Sequence, residues 1–435
     1  MRTNPFLWIL ACSASSAPSQ EPSVDDRLRR LEETVRRQQE EIASLRTGTA
    51  GGAVAAGYDG GFFVASPDGA YRFTLEGLLQ VNANLFERGL EGRETEVFLR
   101  RMRFEFGGEF EKRWLFHVEP KFTESGVDLE EAWVGADLGE GGPRLHVGRM
   151  KEPFSLEEMI PLRHVDFVNL STLNQLVPAE QHGVTLIGRT AESRIEYGAA
   201  VYTGDGEEEF DSDRGGCARL VLRPFAASGE PLLEGLQFGG AATAGRAGQD
   251  LSGTEFLTEA RVPLFAFEPG SRMDGRRVRL AAEAAWLSGP FALYGEAMRA
   301  EQRMEGAGGE ADVRAGGGYA AASWVLTGEK KSFKGVRPER PFVPGKAGAG
   351  PGALQAAARI SELRLDEDLV SAGLVAPSAF PGRVRSVDVG LNWYALYEAR
   401  LKVHWLRTSF EEPIAAGGDA RRSEDALLLQ FQVNF

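Results

Sequence analysis

Cysteine is almost missing from this chain: there are two in 435 residues, Cys12 and Cys217. Cys12 falls in an apolar leader, so a processed chain keeps one thiol and cannot form an internal disulfide. No run of about 18 apolar residues follows the leader, so no helix is available to cross a bilayer. A basic excess is missing too. Lys+Arg number 49 against Asp+Glu 63, a net charge of −14. That is the wrong sign for a general nucleic-acid binder, which must replace the counterions around phosphates. Enzyme signatures are equally scarce. His117, His146, His164, His182 and His404 fall in no H-E-x-x-H or other metal-ligand spacing. No G-x-S-x-G occurs, and the glycine-rich stretch 345–352 lacks the G-K-[ST] ending of a P-loop. No catalytic residue, cofactor or resident metal is expected, although a barrel hydrolase could spread its residues over separate strands. Asp205, Glu207, Glu208, Glu209, Asp211 and Asp213 lack the EF-hand spacing and read as a hydrated acidic loop.

What is present begins with an export signature. Arg2, the apolar run Phe6-Leu7-Trp8-Ile9-Leu10-Ala11-Cys12 and the Ser/Ala-rich residues after it read as a signal peptide over 1–17. Ile9-Leu10-Ala11-Cys12 is also loosely similar to a lipidation site. Residues 24–46 then carry a heptad pattern. Leu28, Val35 and Ile42 hold one core position, and Val24, Leu31, Gln38 and Leu45 the other. Glu32–Arg36 and Glu33–Arg37 are spaced to pair along the helix. Three heptads are too few to be stable alone, which predicts a self-associating coiled coil, with a solvated amphipathic helix as the alternative. Residues 47–59, rich in Gly and Ala, read as a linker.

From about residue 60 the period of the pattern changes to two. Phe73, Leu75, Gly77, Leu79, Val81, Ala83 and Leu85 alternate with Arg72, Thr74, Glu76, Leu78, Gln80, Asn82 and Asn84. That is one strand with an apolar face and a polar face, longer than the five or six residues usual in soluble sheets. The signature recurs in 115–122, 277–286, 386–393 and 400–405. One face meeting hydrocarbon and the other meeting water is what a water-filled barrel requires. The abundance of glycine, 53 of 435, suits tight turns between such strands. Connections alternate in length. Short turns are expected near 107–113, 138–143, 190–193, 288–290 and 394–397. Long polar loops are expected near 87–95, 152–182, 203–215, 245–275, 365–381 and 410–422. The expected fold is therefore all-β: a transmembrane antiparallel barrel over 60–435 with about 16 strands, preceded by the short N-terminal α-helical coiled coil. An even strand number leaves both barrel ends, and the coiled coil, on the periplasmic side of an outer membrane.

The last segment alternates Leu427, Leu429, Phe431, Val433 and terminal Phe435 with Leu428, Gln430, Gln432 and Asn434. It looks like the signal read by the bacterial barrel-assembly machinery, and such an apolar edge would invite aggregation in a soluble protein. Four further pieces fall in order along the chain. One is Phe98-Leu99-Arg100-Arg101-Met102-Arg103-Phe104-Glu105-Phe106-Gly107-Gly108 with Trp114. The second is Val147-Gly148-Arg149-Met150-Lys151-Glu152-Pro153-Phe154-Ser155-Leu156-Glu157, similar to a G-x-x-K-x-P-F-x-x-E segment. The others are Leu326-Thr327-Gly328-Glu329 and Leu391-Asn392-Trp393-Tyr394. In this set the chain resembles the phosphate-selective porin O/P family of outer-membrane proteins. The resemblance implies a homotrimer of 16-stranded barrels, each a passive channel narrowed by inward-folded loops, set in a bilayer with lipopolysaccharide. It implies a basic anion path, with Arg100 and Arg101 matching the paired arginines of the family's binding zone. The chain departs from the phosphate channels at Leu78, where they carry an arginine, and at His146, where they carry a lysine.

The pore-lining candidates for small anions are Arg101, Arg103, Arg277, Arg279, Arg400 and Lys402 by periodicity, with Arg100 by resemblance. Period two puts Arg100 and Arg101 on opposite faces, so either a strand irregularity or a position near the membrane interface is needed to bring both to the path. Lys151, just before the constricting loop 152–182, and Arg163 and His164 within it are the constriction candidates, with His182 as a further titratable group; the loop's apolar residues suggest that it packs against the wall. The basic run 328–346, with Lys330, Lys331, Lys334 and Arg337, is expected either to fold inward from the periplasmic side or to form a solvated charge run. A non-selective or cation-preferring porin that also tethers the envelope through its coiled coil is the alternative function.

Overall fold

The computed structural model describes residues 54–88, 95–123, 126–139, 141–204, 214–416 and 419–435, together with Glu33 and Val35. The signal-peptide region and the acidic stretch Asp205 to Asp213 lie outside these residues. Within the coiled-coil span 24–46 only Glu33 and Val35 are described, both helical. The chain divides into two units, 1–54 and 55–435; the second is the barrel.

Its strands are β1 (Ala55–Tyr58), β2 (Phe62–Ala65), β3 (Tyr71–Arg88), β4 (Thr95–Phe110), β5 (Trp114–Thr123), β6 (Gly126–Asp137) and β7 (Arg144–Met150). After a long inward loop come β8 (Gln181–Arg189), β9 (Ile195–Tyr202), β10 (Arg214–Leu222) and β11 (Leu236–Asp250). A small hairpin, β12 (Glu255–Leu257) and β13 (Pro263–Ala266), precedes β14 (Arg272–Ser288), β15 (Phe291–Gly306) and β16 (Gly309–Val325). The last are β17 (Ala353–Leu365), β18 (Arg383–Tyr394), β19 (Ala399–Ala416) and β20 (Asp419–Asn434). Leaving out the two hairpins β1–β2 and β12–β13, 16 strands pair antiparallel in sequence order, and β20 closes the ring on β3. No edge remains in that ring, so every strand's hydrogen-bonding groups are met within the sheet. Residues 55–58, expected in the linker, form β1 instead. Its hairpin partner β2 pairs with residues 72–75 of β3, just past the point where β20 ends.

The alternation falls as the period requires. Outward Leu79, Val81 and Leu85 are 39%, 37% and 38% exposed, while inward Gln80, Asn82 and Asn84 are 1–2% exposed. Terminal Phe435 fits a notch on this wall. Its backbone exchanges hydrogen bonds with Gly77, and its ring stands where a Gly77 Cβ would be. Phe62 and Phe104 flank the ring, each 6.1 Å away.

Loop lengths depart from the expected rule. At the end opposite the C-terminus, only two residues, 307–308, join β15 to β16. The expected loop 410–422 is mostly strand: β19 runs to Ala416 and β20 begins at Asp419, with a register irregularity between Ser409 and Ile414. At the C-terminal end, 326–352 is no tight turn. Alternation in length is a tendency of lipid-facing barrels; here it yields to loops that have inner surfaces to cover.

One side of the interior is filled. Phe154, Leu156, Phe167 and Leu173 of the loop 151–180 pack on Ala200, Ala241, Ala285, Ala321 and Ala357, small inward residues of β9 to β17 that leave room for it. Wall side chains then take the loop's carbonyl oxygens in succession. Gln432 donates to Arg163 O (3.0 Å), Lys402 to Val165 O and Phe167 O (3.0 and 2.7 Å), and Asn392 to Asp166 O (2.9 Å). Gln430 donates to Val168 O at 3.3 Å and Arg359 to Asn169 O at 3.0 Å. An irregular backbone inside a barrel needs such partners, since unpaired buried carbonyls are costly. The two cavities beside the loop are walled mainly by residues of β3 to β8 and of the loop itself.

Candidate functional site

The loop enters the barrel through the Gly148 to Glu157 segment. Ser155 caps the one-turn helix α1 (Leu156–Met159) by accepting from Glu158 N. Inward Glu296 of β15 accepts from Leu156 N (2.6 Å), Glu157 N (3.0 Å) and Ser155 Oγ (3.1 Å). A carboxylate meeting free N–H groups at a helix start is favourable. Further along, Arg359 of β17 binds Glu157 of this loop (2.7 Å) and Glu259 of the β12–β13 hairpin (3.0 Å). It therefore locks two inward segments to the wall. Lys331, from the 326–352 segment, pairs with loop Asp166 at 2.7 Å. Burial alone would raise the Asp166 carboxyl, but the Lys331 ammonium holds it below the usual carboxylate range.

Two cavities flank the loop on its open side, sharing Arg103, Lys151, Glu158 and Leu162. The upper one, about 180 Å³, lies toward the β12–β13 hairpin. The lower one, about 630 Å³, lies toward the C-terminus, with Asp59, Lys334, Tyr397 and Asn434 in its wall.

Arg100 and Arg101 both face the upper cavity. Of the two alternatives the structure has the strand irregularity: Gln80 pairs with Arg101 and Val81 with Leu99, leaving Arg100 as the extra residue of a β-bulge. Arg101 donates to Gln80 at 2.8 Å and Arg100 to loop Asn169 at 3.4 Å. A second bulge lies across the path. Glu119 pairs with Glu131 and Pro120 with Leu129, so Glu130 is extra. Glu130 faces the upper cavity and Glu131 the lower. Arg103 joins both cavities and is neutralised by Glu119 (2.8 Å) and Glu130 (2.9 Å).

Arg261 completes the upper cavity and was not anticipated. It sits at the tip of the β12–β13 hairpin with φ of 69°, a left-handed conformation rare outside glycine. Asn84 donates to Ala260 O beside it at 3.4 Å, which pins the tip to the wall. Its only sequence signal was a basic residue inside the expected loop 245–275. Among the described residues, Arg100, Arg101 and Arg261 take part in no ion pair. Glu180 shares this cavity; burial, with the Glu130 charge, pushes its carboxyl up to about 7.

The other candidates lie elsewhere. Arg277 faces inward and is 7% exposed, but neither it nor Arg279 lines either cavity. Arg400 and Lys402 are each 1% exposed. Lys402 serves the loop carbonyls, and Arg400 lies over the Tyr394 ring at 4.9 Å. Periodicity identifies the inward face correctly for these residues; it cannot tell which part of the interior a loop will cover. Lys151 pairs with Glu158 at 3.1 Å and lines both cavities. Arg163 pairs with Glu76 and Glu105. Burial, with the Arg400 and Arg163 charges, pushes the His164 imidazole down to about 3. In the basic run, Lys331 is buried in its pair, Lys334 lines the lower cavity, Arg337 stacks on Tyr397 at 4.2 Å, and Lys330 is exposed. The two departures both belong to the lower cavity: Leu78 lines it, and His146 lines it stacked on Trp133 at 3.9 Å.

A closed barrel with an apolar outer wall, a polar passage and a loop folded into that passage is an outer-membrane porin. The chain belongs to the family described as phosphate-selective porin O and P, which matches residues 79–435. It is 21% identical to Porin O of Pseudomonas aeruginosa over 402 residues, covering 83% of this chain and 88% of that one. The fold is shared with an anion-selective porin from Comamonas acidovorans (TM-score 0.55, 10% identity, 84% of this chain and 100% of that one). It is also shared with the outer membrane channel DcaP of Acinetobacter baumannii (TM-score 0.53, 9% identity, 84% and 98%).

Proposed function

We propose that this porin passes small hydrophilic solutes passively and prefers anions, oxyanions such as phosphate among them. The observation carrying this is the trio Arg100, Arg101 and Arg261, which face one narrow cavity without a carboxylate partner among the described residues. Unpaired cations in a tight aqueous passage lower the entry energy of anions and raise that of cations. Two arginines on adjacent residues also suit the several oxygens of an oxyanion.

The protein is proposed to work as a homotrimer in a bilayer with lipopolysaccharide, the assembly that the family resemblance implies. Terminal Phe435 is proposed as the residue read by the assembly machinery, and the helix of 24–46 as a periplasmic coiled coil. A second reading, a non-selective or cation-preferring porin, draws support from the lower cavity, where carboxylates outnumber cations. Chloride conductance in planar bilayers, with phosphate added at constant ionic strength, tests the first. Phosphate lingering at the arginines lowers the chloride current of the natural protein and spares that of the Arg100→Ala, Arg101→Ala double variant. Current carried mainly by potassium overturns the reading in favour of the second.

A further inference from the structure

The lower cavity holds a cluster that anion passage does not use. Glu105 of β4 and His117 and Glu119 of β5 each offer one ligand atom, all within 4.8 Å of one another. Nε2 of His117 lies 3.6 Å from Oε2 of Glu119. A tetrahedral ion with ligand bonds of about 2.0–2.1 Å spaces its donors about 3.4 Å apart. The His117–Glu119 edge is thus nearly closed, and the Glu105 ligand atom lies within 4.8 Å of both.

The donors are held from outside. Oε1 of Glu119 accepts from Arg103 at 2.8 Å, and Oε1 of Glu105 accepts from Arg163. Each carboxylate keeps a second oxygen, and such outer partners are what orient ligands in metal sites. The imidazole is fixed by stacking on Trp133, with ring centroids 5.4 Å apart and planes 20° from parallel. Trp133 is fixed in turn by His146 on its other face and by donating Nε1 to Glu131 at 3.2 Å. Arg103, Lys151, Arg163 and Lys334 oppose a cation in this cavity, but Asp59, Glu76, Glu105, Glu119, Glu131 and Glu158 outnumber them.

We propose that Glu105, His117 and Glu119 form a binding site for a divalent transition cation of the zinc class, with its open coordination position facing the permeation path. One imidazole with two carboxylates is a borderline donor set; calcium and magnesium prefer oxygen alone. A cation held there narrows the path and reduces current.

The test uses the detergent-solubilised full-length protein and two metals. Cobalt(II) added to it gives a visible absorption band that zinc displaces, and the band is missing in His117→Ala. In planar bilayers, zinc lowers the conductance of the natural protein reversibly. The zinc concentration for half-block rises about tenfold or more in His117→Ala, while His182→Ala, outside the cluster, behaves as the natural protein. If His117→Ala fails to form a heat-resistant barrel, His117→Phe keeps an aromatic ring against Trp133 and removes the donor. Absence of the cobalt band, or equal zinc sensitivity in the His117 variants, overturns the proposal. The absorption arm reads binding directly, so it stands apart from the channel's ion preference.

Discussion

The upper and lower cavities lie on either side of one loop, share four residues, and differ in how their charges are matched. Below, Arg163 is answered by Glu76 and Glu105, and Arg103, which lines both cavities, is answered by Glu119 and Glu130. Above, Arg100, Arg101 and Arg261 have neutral partners or none among the described residues. Paired charges build a wall; under the proposed function the unpaired ones set the ion preference. The distinction turns on two single-residue bulges. One brings Arg100 to the same side as Arg101, and the other divides adjacent Glu130 and Glu131 between the cavities.

Removing the partition is expected to have the largest effect. Arg359→Ala leaves Glu157 and Glu259 buried without their shared counter-charge, a loss of about 3–5 kcal/mol. A lower denaturation midpoint in detergent and a larger single-channel conductance are expected; an unchanged midpoint would show that the loop is held by other contacts. Next comes the upper cavity itself. Arg100→Ala with Arg101→Ala is expected to lower the anion-to-cation permeability ratio by about 1 kcal/mol per charge, roughly fivefold each. An unaltered ratio in bi-ionic potentials would place selection elsewhere.

A smaller effect comes with pH. Below about 7 the Glu180 carboxyl gains a proton and the upper cavity loses a negative charge; above it the charge returns. Anion preference should therefore rise from about pH 8 to about pH 6, by less than about 1 kcal/mol, and Glu180→Gln should remove the step. A step of the same size in Glu180→Gln would assign the titration to another group. Smallest is Lys330→Ala. This exposed side chain lines neither cavity, and stability is expected to stay within about 0.5 kcal/mol, with an unchanged reversal potential. A measurable shift would bring the basic run into the path.

The wall was legible because it obeys one period. The inward face of β3 and the closing strand could be read residue by residue, and the conflict between Arg100 and Arg101 marked the spot without deciding between a bulge and a position near the interface. The filling was not legible. Arg277, Arg279, Arg400 and Lys402 face inward as the pattern requires, yet line neither cavity, because the loop occupies the β9–β17 side. That asymmetry was written in the inward alanines at 200, 241, 285, 321 and 357, which look weak as strand residues and matter only as space for Phe154 and Phe167. Arg261 was hidden differently. Its position depends on a hairpin tip in a left-handed conformation, which no alternation marks.

The most direct measurement is the reversal potential of the natural protein in a planar bilayer across a potassium chloride gradient. The account predicts the sign for chloride preference at neutral pH. A potential of the opposite sign would mean that the carboxylates of the lower cavity, not the arginines of the upper one, govern what passes.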